Sequence, residues 1–400
     1  MSAIPRFALP VPFVNRPVID PVLVCLGVGL ILAGLVILAS ASATTAEAEF
    51  ANPFHYLQRQ LLAVCMGMLA ATFMLLVPTE VWQRTGFVLV LVAIGSLIFV
   101  LLPGIGLSEK GATRWISVAG FSVQVSEPAR LALIIYLAGY TVRRQHDLTT
   151  RFTGFLKPML VITCAAGLLL AEPDFGAATV LLATALAMLF IGGARLRDFV
   201  LFFGVAVIGM AVLALTSPYR LQRLTGFLNP WADPFDTGFQ LTQSLIAIGR
   251  GEWFGVGLGS SVQKLFYLPE AHTDFVFAVF AEEFGLLGSV LMIGTFFVLI
   301  WRIFDLARRA AECDRMFQAY VAAGIGTWLG LQAFINLGVN MGLLPTKGLT
   351  LPMISYGRSS LIITLAALGL LLRIHHELSE PGSVKSGKTA AGRRRVGKRR

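Results

Sequence analysis

The sequence has few charged residues for its length. Only 14% of its 400 residues are Asp, Glu, Lys or Arg, whereas 56% are hydrophobic. The mean hydropathy is +0.76. A soluble globular protein carries roughly 25% charged residues. The composition therefore excludes the soluble classes and predicts an integral membrane protein.

Cysteine and the common catalytic motifs are also scarce or absent. There are four cysteines, and none has the paired spacing of a zinc site or of a disulfide framework. The sequence contains no P-loop, no Rossmann glycine motif, no H-E-x-x-H and no G-x-S-x-G. These absences exclude the common nucleotide-binding, zinc-protease and serine-hydrolase classes.

Long apolar runs are abundant instead. A membrane-spanning helix needs about 20 mostly apolar residues, and it satisfies its own backbone hydrogen bonds, so such runs are helices rather than strands. We predict an all-α polytopic integral membrane protein with about ten transmembrane helices and a large extracytoplasmic loop between helices 7 and 8. The predicted spans are residues 20–42, 56–77, 86–105, 126–142, 157–172, 175–192, 198–216, 275–301, 317–341 and 351–374.

The distribution of Lys and Arg predicts the orientation of these helices. Cytoplasmic loops carry the excess of positive charge, and most Lys and Arg residues lie on the cytoplasmic side when both termini are placed there. The predicted domains are a cytoplasmic segment 1–19, a transmembrane domain 20–375 and a cytoplasmic tail 376–400. The tail is basic and poor in apolar residues. We expect it to be disordered and to bind anionic membrane lipids rather than nucleic acid.

The extracytoplasmic loop, residues 217–274, is unusually long for a connection without a domain of its own. It is rich in glycine, and it contains alternating apolar residues such as WFGVGLG. We expect it to fold back onto the membrane as short amphipathic or re-entrant segments.

Polar residues at membrane depth are the candidates for chemistry, because they are costly in hydrocarbon and usually face a cavity or a partner. Asp274 stands at the outer mouth of the predicted eighth helix. There a carboxylate either caps the helix N-terminus or belongs to a functional site. Glu282 and Glu283 lie two turns deeper, so they need a polar partner or a water-filled cleft.

A second group of charged residues lies near the predicted fourth helix. Arg114 is in the preceding outer loop, while Glu127 and Arg130 are three residues apart and can pair across one helical turn. This pair either serves the structure alone or presents a guanidinium group to phosphate. In the stretch AEPDFG, Glu172 and Asp174 flank a proline. That pattern is typical of a tight turn followed by a helix cap.

A third group lies in NMGLLPTKGLTLPMISYGRSSL, residues 340–361. Lys347 stands between a proline and a glycine on the outer side, where anionic lipid headgroups would arrive. Ser355, Ser359 and Ser360 follow at a spacing of about one helical turn. Their hydroxyl groups either pack helices together or bind a substrate.

These three stretches together resemble the SEDS family of bacterial cell-wall proteins. The resemblance extends from Asp20 to His375, and the motifs occur in the expected order. The stretch PTKGLTLPMISYG is similar to the division branch of the family rather than to the rod-elongation branch. The resemblance implies a fold of ten helices and a peptidoglycan glycosyltransferase that polymerises lipid II during septal synthesis. It also implies a location in the bacterial inner membrane with enrichment at the division septum.

The resemblance also implies roles and partners. Asp274 matches the essential carboxylate of the family and is our predicted general base. The predicted substrate-binding residues are Arg114, Glu127, Arg130, Lys347, Ser355, Ser359 and Ser360. The implied partners are lipid II, a class B penicillin-binding protein and other divisome membrane proteins. No cofactor is certain, and a divalent cation such as Mg²⁺ or Mn²⁺ could share the binding of pyrophosphate. A lipid II flippase and a non-catalytic divisome scaffold are the alternative functions.

One position departs from the family pattern. The family usually has SYGGSS where this chain has SYGRSS, so that Arg358 replaces a glycine. An arginine does not adopt a glycine-only backbone conformation cheaply, and it adds charge near the predicted cavity. This departure keeps the scaffold alternative open.

Overall fold

The computed structural model describes residues 18–104, 106–109, 112–118, 121–216, 226–234, 236, 238–265, 267–345 and 348–379. Three predictions concern residues outside these ranges. They are the N-terminal segment up to residue 17, the role of Lys347 and the basic tail from residue 380 onward.

Helices make up most of the described chain. They are α1 (Pro21–Phe50), α2 (His55–Leu76), α3 (Thr79–Val100), α4 (Ser126–Arg143), α5 (Gln145–Thr150), α6 (Phe152–Ala171), α7 (Phe175–Ile191), α8 (Leu196–Leu215), α9 (Phe239–Arg250), α10 (Val276–Glu312), α11 (Met316–Asn340) and α12 (Arg358–Ser379). A helix therefore lies at each of the ten predicted spans, and the polytopic helical class is confirmed.

Seven helices of the described chain are long and apolar enough to cross a membrane. They are α1, α2, α3, α6, α10, α11 and α12. Helix α7 is apolar but has only 17 residues. The chain is therefore a multi-pass membrane protein, while the number of ten spans and the domain boundaries stay predictions. The last helix begins at Arg358 rather than at residue 351, since residues 351–357 form turns that include a proline and a glycine.

Two helix features follow directly from local chemistry. Asp20 caps α1, because its side chain accepts hydrogen bonds from the N–H groups of Val22 and Leu23, and Pro21 occupies the first helical position, where its missing N–H costs nothing. Helix α10 is interrupted at Gly285, which has φ 68° and ψ −164°. Only glycine adopts this conformation readily.

The helices differ in how much of their surface is covered. The apolar spans of α11 and α12 are mostly buried, whereas less than a third of the apolar span is buried in each of α2, α3 and α10. Leu69 on α2 and Leu291 on α10, for example, are both 73% exposed. Helix α11 packs against α10, α4 and α7, and α12 packs against α2. Thus α11 and α12 form the interior, and the exposed apolar faces suit contact with lipid tails.

A small antiparallel sheet, which the sequence analysis did not predict, covers one end of the helices. Its strands β1 (Leu107–Glu109), β2 (Ala112–Val118) and β3 (Phe121–Gln124) pair in that order. Trp115 pairs with Gln124 in the register. Aromatic and β-branched residues in β2 favour a strand. We call this end, which also carries α9 and residues 342–345 and 348–357, the sheet end.

The opposite end of the bundle joins the two ends of the described chain. The N–H of Val18 donates to Nδ1 of His376 over 3.2 Å, and the N–H of Thr79 donates to Glu377 over 2.9 Å. The start of α1, the start of α3 and the end of α12 therefore meet there. We call this the Asp20 end, and it is the end that the charge distribution predicts to be cytoplasmic.

Candidate active site at the sheet end

Asp274 lies in the turn that precedes α10. Its carbonyl oxygen accepts hydrogen bonds from the side-chain amides of Asn336, at 2.9 Å, and Asn340, at 3.0 Å. Asn340 also accepts a bond from the N–H of Ala278 in the first turn of α10. A neighbouring helix therefore supplies a cap for α10. The backbone of Asp274 is held from α11 while its side chain is half-buried.

The Asp274 carboxylate faces the chain segment that follows the predicted lysine. A Cβ atom at Gly348 would lie 3.3 Å from Oδ2 of Asp274. Gly348 directly follows Lys347 in the sequence, although Lys347 itself is outside the described residues. The structure thus brings this loop next to the predicted base.

A row of three amide side chains on α11 holds the loop that precedes α12. Gln332, Asn336 and Asn340 are spaced by four residues and so lie on one side of the helix. The Gln332 side chain donates to the carbonyl of Thr350 over 3.0 Å, and the Asn336 side chain donates to the carbonyl of Leu349 over 2.6 Å. The sequence analysis missed this row. Its signal was the four-residue spacing of amides within an apolar helix.

Arg130 is fixed by three side chains. It pairs with Glu127 at 3.4 Å, donates to Oε1 of Gln332 over 3.0 Å and lies 5.3 Å from the ring centre of Trp328. The predicted pairing across one turn is confirmed. Both members of the pair are buried, so Arg130 acts on its surroundings as a fixed positive charge rather than as a mobile clamp.

Arg114, on strand β2, contacts the turn that precedes α7. Arg114 lies 3.5 Å from Oδ2 of Asp174, which also accepts a bond from the Gln124 side chain over 3.2 Å. The other Asp174 oxygen caps α7 by accepting from the N–H of Ala177 over 3.0 Å. The prediction of a turn followed by a helix cap is therefore confirmed for Asp174.

Glu172 lies two residues before Asp174 and has no such partners. Its side chain is fully buried, and neither carboxyl oxygen has a hydrogen-bond partner in the described part of the chain. Burial raises the pKa of Glu172, the nearby Asp174 raises it further and Arg114 opposes the rise, giving a pKa of about 8. At neutral pH this carboxyl group is therefore mostly protonated.

The predicted serines connect the loop before α12 to its surroundings. The Ser355 hydroxyl accepts from the N–H of Leu351 over 2.8 Å, which closes a turn. The Ser359 hydroxyl accepts from the N–H of Gln124 over 2.9 Å, which ties β3 to α12. The Ser360 hydroxyl lies 3.5 Å from Thr350 Oγ1. These contacts position backbone, and direct substrate contact by the serines stays a prediction.

Arg358 does not strain the backbone at the departure from the family pattern. It is the first residue of α12, so no glycine-only conformation is required there. Its Nη2 donates to the hydroxyl of Ser122 on β3 over 3.0 Å. The unusual backbone lies at Met353 instead, where φ is 64°.

Glu282 and Glu283 hold the loop that follows α9. Glu282 binds Arg250 at 3.1 Å and also accepts from Ser261 and from the N–H of Val262. Glu283 accepts from the Ser40 hydroxyl of α1 and pairs with Lys264 of the loop at 3.4 Å. The predicted polar partners are therefore confirmed, and both glutamates anchor the loop rather than line the space beside Asp274.

The same loop makes backbone contacts around the break in α10. The N–H groups of residues 256 and 257 donate to the carbonyls of Glu282 and Glu283, and the N–H groups of residues 286 and 287 donate to the carbonyls of Glu252 and Trp253. The loop thus folds back against α10, while its folding onto the membrane as amphipathic or re-entrant segments stays a prediction. Among the residues described, no group of three or more His, Cys, Asp or Glu could hold a metal ion.

The chain is similar to known proteins of one family along almost its whole length. Residues 21–380 match the family model FTSW_RODA_SPOVE, described as "Cell cycle protein". A protein of Thioalkalivibrio sulfidiphilus is 52% identical over 360 residues, covering 90% of each chain. A protein of Coxiella burnetii is 51% identical over 358 residues, covering 90% of this chain and 96% of the other. Both are named probable peptidoglycan glycosyltransferase FtsW.

Solved structures give the same result. A chain from "Structural coordination of polymerization and crosslinking by a peptidoglycan synthase complex" matches with TM-score 0.75 and 31% identity, covering 90% of this chain and 99% of that one. Rod shape determining protein RodA of Thermus thermophilus matches with TM-score 0.68 and 29% identity, covering 92% and 100%. The chain belongs to the FtsW, RodA and SpoVE family of cell cycle proteins, the SEDS family.

Proposed function

We propose that this protein is a peptidoglycan glycosyltransferase that polymerises lipid II into glycan strands during septal wall synthesis. The observation that carries this proposal is the placement of Asp274. Its carboxylate is half-buried beside Gly348, and its backbone is fixed by α11. The same helix holds Arg130 through Gln332, so one helix positions both the backbone of the proposed base and a fixed cation.

Asp274 acts as general base in this proposal. It takes the proton from the 4-hydroxyl of an incoming lipid II while that oxygen forms a bond to the anomeric carbon of the growing chain. The bond from that carbon to the pyrophosphate breaks, and the pyrophosphate leaves with the electron pair. A single displacement inverts the anomeric carbon from α to β. A positioned base contributes ~10²- to 10⁴-fold in rate.

Cations stabilise the charge that develops on the leaving pyrophosphate. Of the two arginines in the proposed site, Arg114 is the more accessible, because 28% of its side chain is exposed. Arg130 contributes from a buried position, where a charge is screened less than it is in water. Lys347 completes this set. The serines and Glu127 act through the loop and through Arg130.

The partners follow from the same assignment. One solved relative comes from a peptidoglycan synthase complex in which polymerisation and crosslinking are coordinated. We infer that this chain pairs with a class B penicillin-binding protein and with other divisome membrane proteins. It works in the bacterial inner membrane, enriched at the septum, with the sheet end outside and both termini in the cytoplasm.

Polymerisation of fluorescent lipid II tests this function. The purified protein is assayed with its partner transpeptidase inactivated by penicillin, and the native chain is compared with Asp274→Asn. We expect glycan ladders from the native chain and a loss of ~10²-fold or more in the variant. Asp314→Asn is the matched control, because Asp314 is an exposed aspartate that follows the far end of α10.

The alternative functions predict different results. A non-catalytic scaffold gives no ladder from the native chain. A flippase gives no ladder and moves labelled lipid II across proteoliposome membranes. Ladders of equal yield from the native chain and from Asp274→Asn would retain the polymerase and remove Asp274 as its base.

A further inference from the structure

Glu172 is buried, and its carboxyl group forms no hydrogen bond in the described part of the chain. Its side chain has 0% exposure, and it is the one buried carboxyl of the described chain in which both oxygens lack a hydrogen-bond partner. Leaving a buried polar group unpaired is costly, and such groups in native proteins call for a specific explanation. Neither the turn nor the proposed base mechanism uses this group.

The surroundings of Glu172 contain both signs of charge. Arg114 on β2 and Asp174 in the turn before α7 both lie near enough to act on its charge, Arg114 lowering and Asp174 raising the pKa of Glu172. Asp174 in turn interacts with Glu127 on α4, which is paired with Arg130. These four charged side chains already have protein partners. Within this cluster, Glu172 is thus the side chain that forms no hydrogen bond with the described part of the protein.

The protonated state of Glu172 decides which ligand atom it suits. A neutral carboxyl group has an O–H donor, whereas a carboxylate only accepts. The donor needs an acceptor, and the adjacent Arg114 guanidinium favours an acceptor that carries negative charge. Phosphate oxygens meet both conditions, because they accept hydrogen bonds and are anionic at neutral pH.

We propose that the buried carboxyl group of Glu172, which has no hydrogen-bond partner in the described chain, is a substrate-binding group that donates a hydrogen bond to the pyrophosphate of lipid II, near Arg114. This inference rests on the proposed function, since it takes lipid II as the substrate. No proton is transferred in this step. The neutral acid adds a donor without adding charge, and ionisation would replace that donor with a negative charge facing the pyrophosphate.

The sheet has to shift for a phosphate group to reach Glu172. Polar contacts tie the sheet to the helices, namely Arg114 with Asp174, Gln124 with Asp174 and with Ser359, and Ser122 with Arg358. Arg114 exchanges its carboxylate partner for phosphate in this motion. Such polar contacts separate at a smaller cost than an apolar core of equal area.

Binding of undecaprenyl pyrophosphate to the full-length protein in detergent micelles tests the proposal without requiring turnover. The dissociation constant is measured by tryptophan fluorescence between about pH 6 and about pH 9.5 for the native chain, Glu172→Gln and Glu172→Ala. Glutamine keeps the size and a donor but does not ionise. Glu80→Gln is the control, because Glu80 is an exposed residue at the Asp20 end.

The native chain should bind about tenfold more weakly above about pH 8 than at pH 7, while Glu172→Gln stays constant over the same change. Glu172→Ala should bind about tenfold more weakly at pH 7, because the donor is lost. Identical pH profiles for the native chain and Glu172→Gln would overturn the proposal. Native-like binding by Glu172→Ala at pH 7 would overturn it as well.

These outcomes are separate from those of the polymerisation assay. Glycan ladders that are lost in Asp274→Asn, together with a dissociation constant that is unchanged in the Glu172 variants, would refute the role of Glu172 alone. The expected binding pattern without ladders would refute the polymerase and leave Glu172 as a pyrophosphate-binding residue.

Discussion

The two ends of the bundle use similar residues for different purposes. At the Asp20 end, Arg302 binds Asp20 at 2.9 Å and Arg373 binds Glu377 at 2.8 Å. At the sheet end, the Asp274 side chain is half-buried beside a loop, and Glu172 is buried without a hydrogen bond. Charge pairs stabilise both ends, and the sheet end in addition holds the proposed base and a buried carboxyl group, Glu172, without a hydrogen-bond partner in the described chain.

The backbone shows the same contrast. The Asp20 end closes with a capped helix. The sheet end contains the break at Gly285 and five of the six described non-glycine residues with positive φ, namely Ala51, Pro173, Glu252, Glu270 and Met353, whereas Asp314 is the one at the Asp20 end. Unusual backbone of this kind persists only where surrounding contacts enforce it, and it is common in functional sites. We expect mutations at the Asp20 end to change stability alone, and mutations of the proposed catalytic residues at the sheet end to change turnover.

The largest expected effect on stability comes from Gly285→Ala. A Cβ atom there would overlap the backbone nitrogens of Gly255 and Phe254, and the backbone conformation suits only glycine. We expect a loss of about 3 kcal/mol or more in stability and more than tenfold in turnover. Gly294→Ala on the same helix, where a Cβ meets nothing within 4 Å, should be neutral in both thermal unfolding and polymerisation assays.

Arg302→Met should mainly affect stability. Asp20 is fully buried, and removal of Arg302 leaves it with His375 at 3.7 Å, at a cost of about 3 kcal/mol. The exposed Arg308 on the same helix is the matched control, and Arg308→Met should cost less than about 1 kcal/mol. Equal unfolding temperatures for the two variants would contradict the contrast between the ends.

The two ends should also differ in the pH dependence of stability. Burial raises the pKa of Asp20, but the Arg302 hydrogen bond and charge outweigh burial and hold the pKa below its usual value of 3.8. Its contribution is therefore lost as the pH falls through that lowered pKa. The raised pKa of Glu172 has the opposite sign, because the folded protein holds a proton that the unfolded chain releases.

Stability of the native chain should therefore fall, relative to Glu172→Gln, as the pH rises from the ordinary pKa of 4.5 to about 8. Above that range the difference should stay constant. Thermal unfolding of both proteins across this window measures the effect. A constant difference from pH 5 to pH 8 would mean that Glu172 is already ionised in the folded protein.

The smallest expected effect concerns Arg358. Arg358→Gly and Ser122→Ala each remove the same hydrogen bond, so each should cost about 1 kcal/mol and the two costs should not add. A double-mutant cycle measured by thermal unfolding checks this. Additive costs would show that the hydrogen bond between Arg358 and Ser122 contributes nothing to stability.

Much of the fold was predictable from the sequence, because lipid leaves few options for an apolar run. The helix ends were less predictable. Helix α1 continues to Phe50 rather than to residue 42, and α12 starts at Arg358 rather than at residue 351. The sheet was missed, because a few short strands between long apolar helices give a weak pattern.

The sequence predicted those contacts of the candidate site that join residues close together in the chain. Glu127 and Arg130 are three residues apart, and their pairing followed from helix geometry. The amide row of α11 and the unpaired state of Glu172 depend on which elements pack together, and a single sequence does not contain that information. Asp174 has the expected cap geometry, whereas its neighbour Glu172 is distinguished only by its burial.

The central claim is that Asp274 acts in the chemical step while the charge pairs of the Asp20 end maintain the fold. The most direct test measures polymerisation rate per folded molecule and unfolding temperature for Asp274→Asn and Arg302→Met side by side. The account predicts that Asp274→Asn loses ~10²-fold or more in rate at an unchanged unfolding temperature. Arg302→Met should keep its rate and unfold at a lower temperature. A native rate in Asp274→Asn would contradict the account.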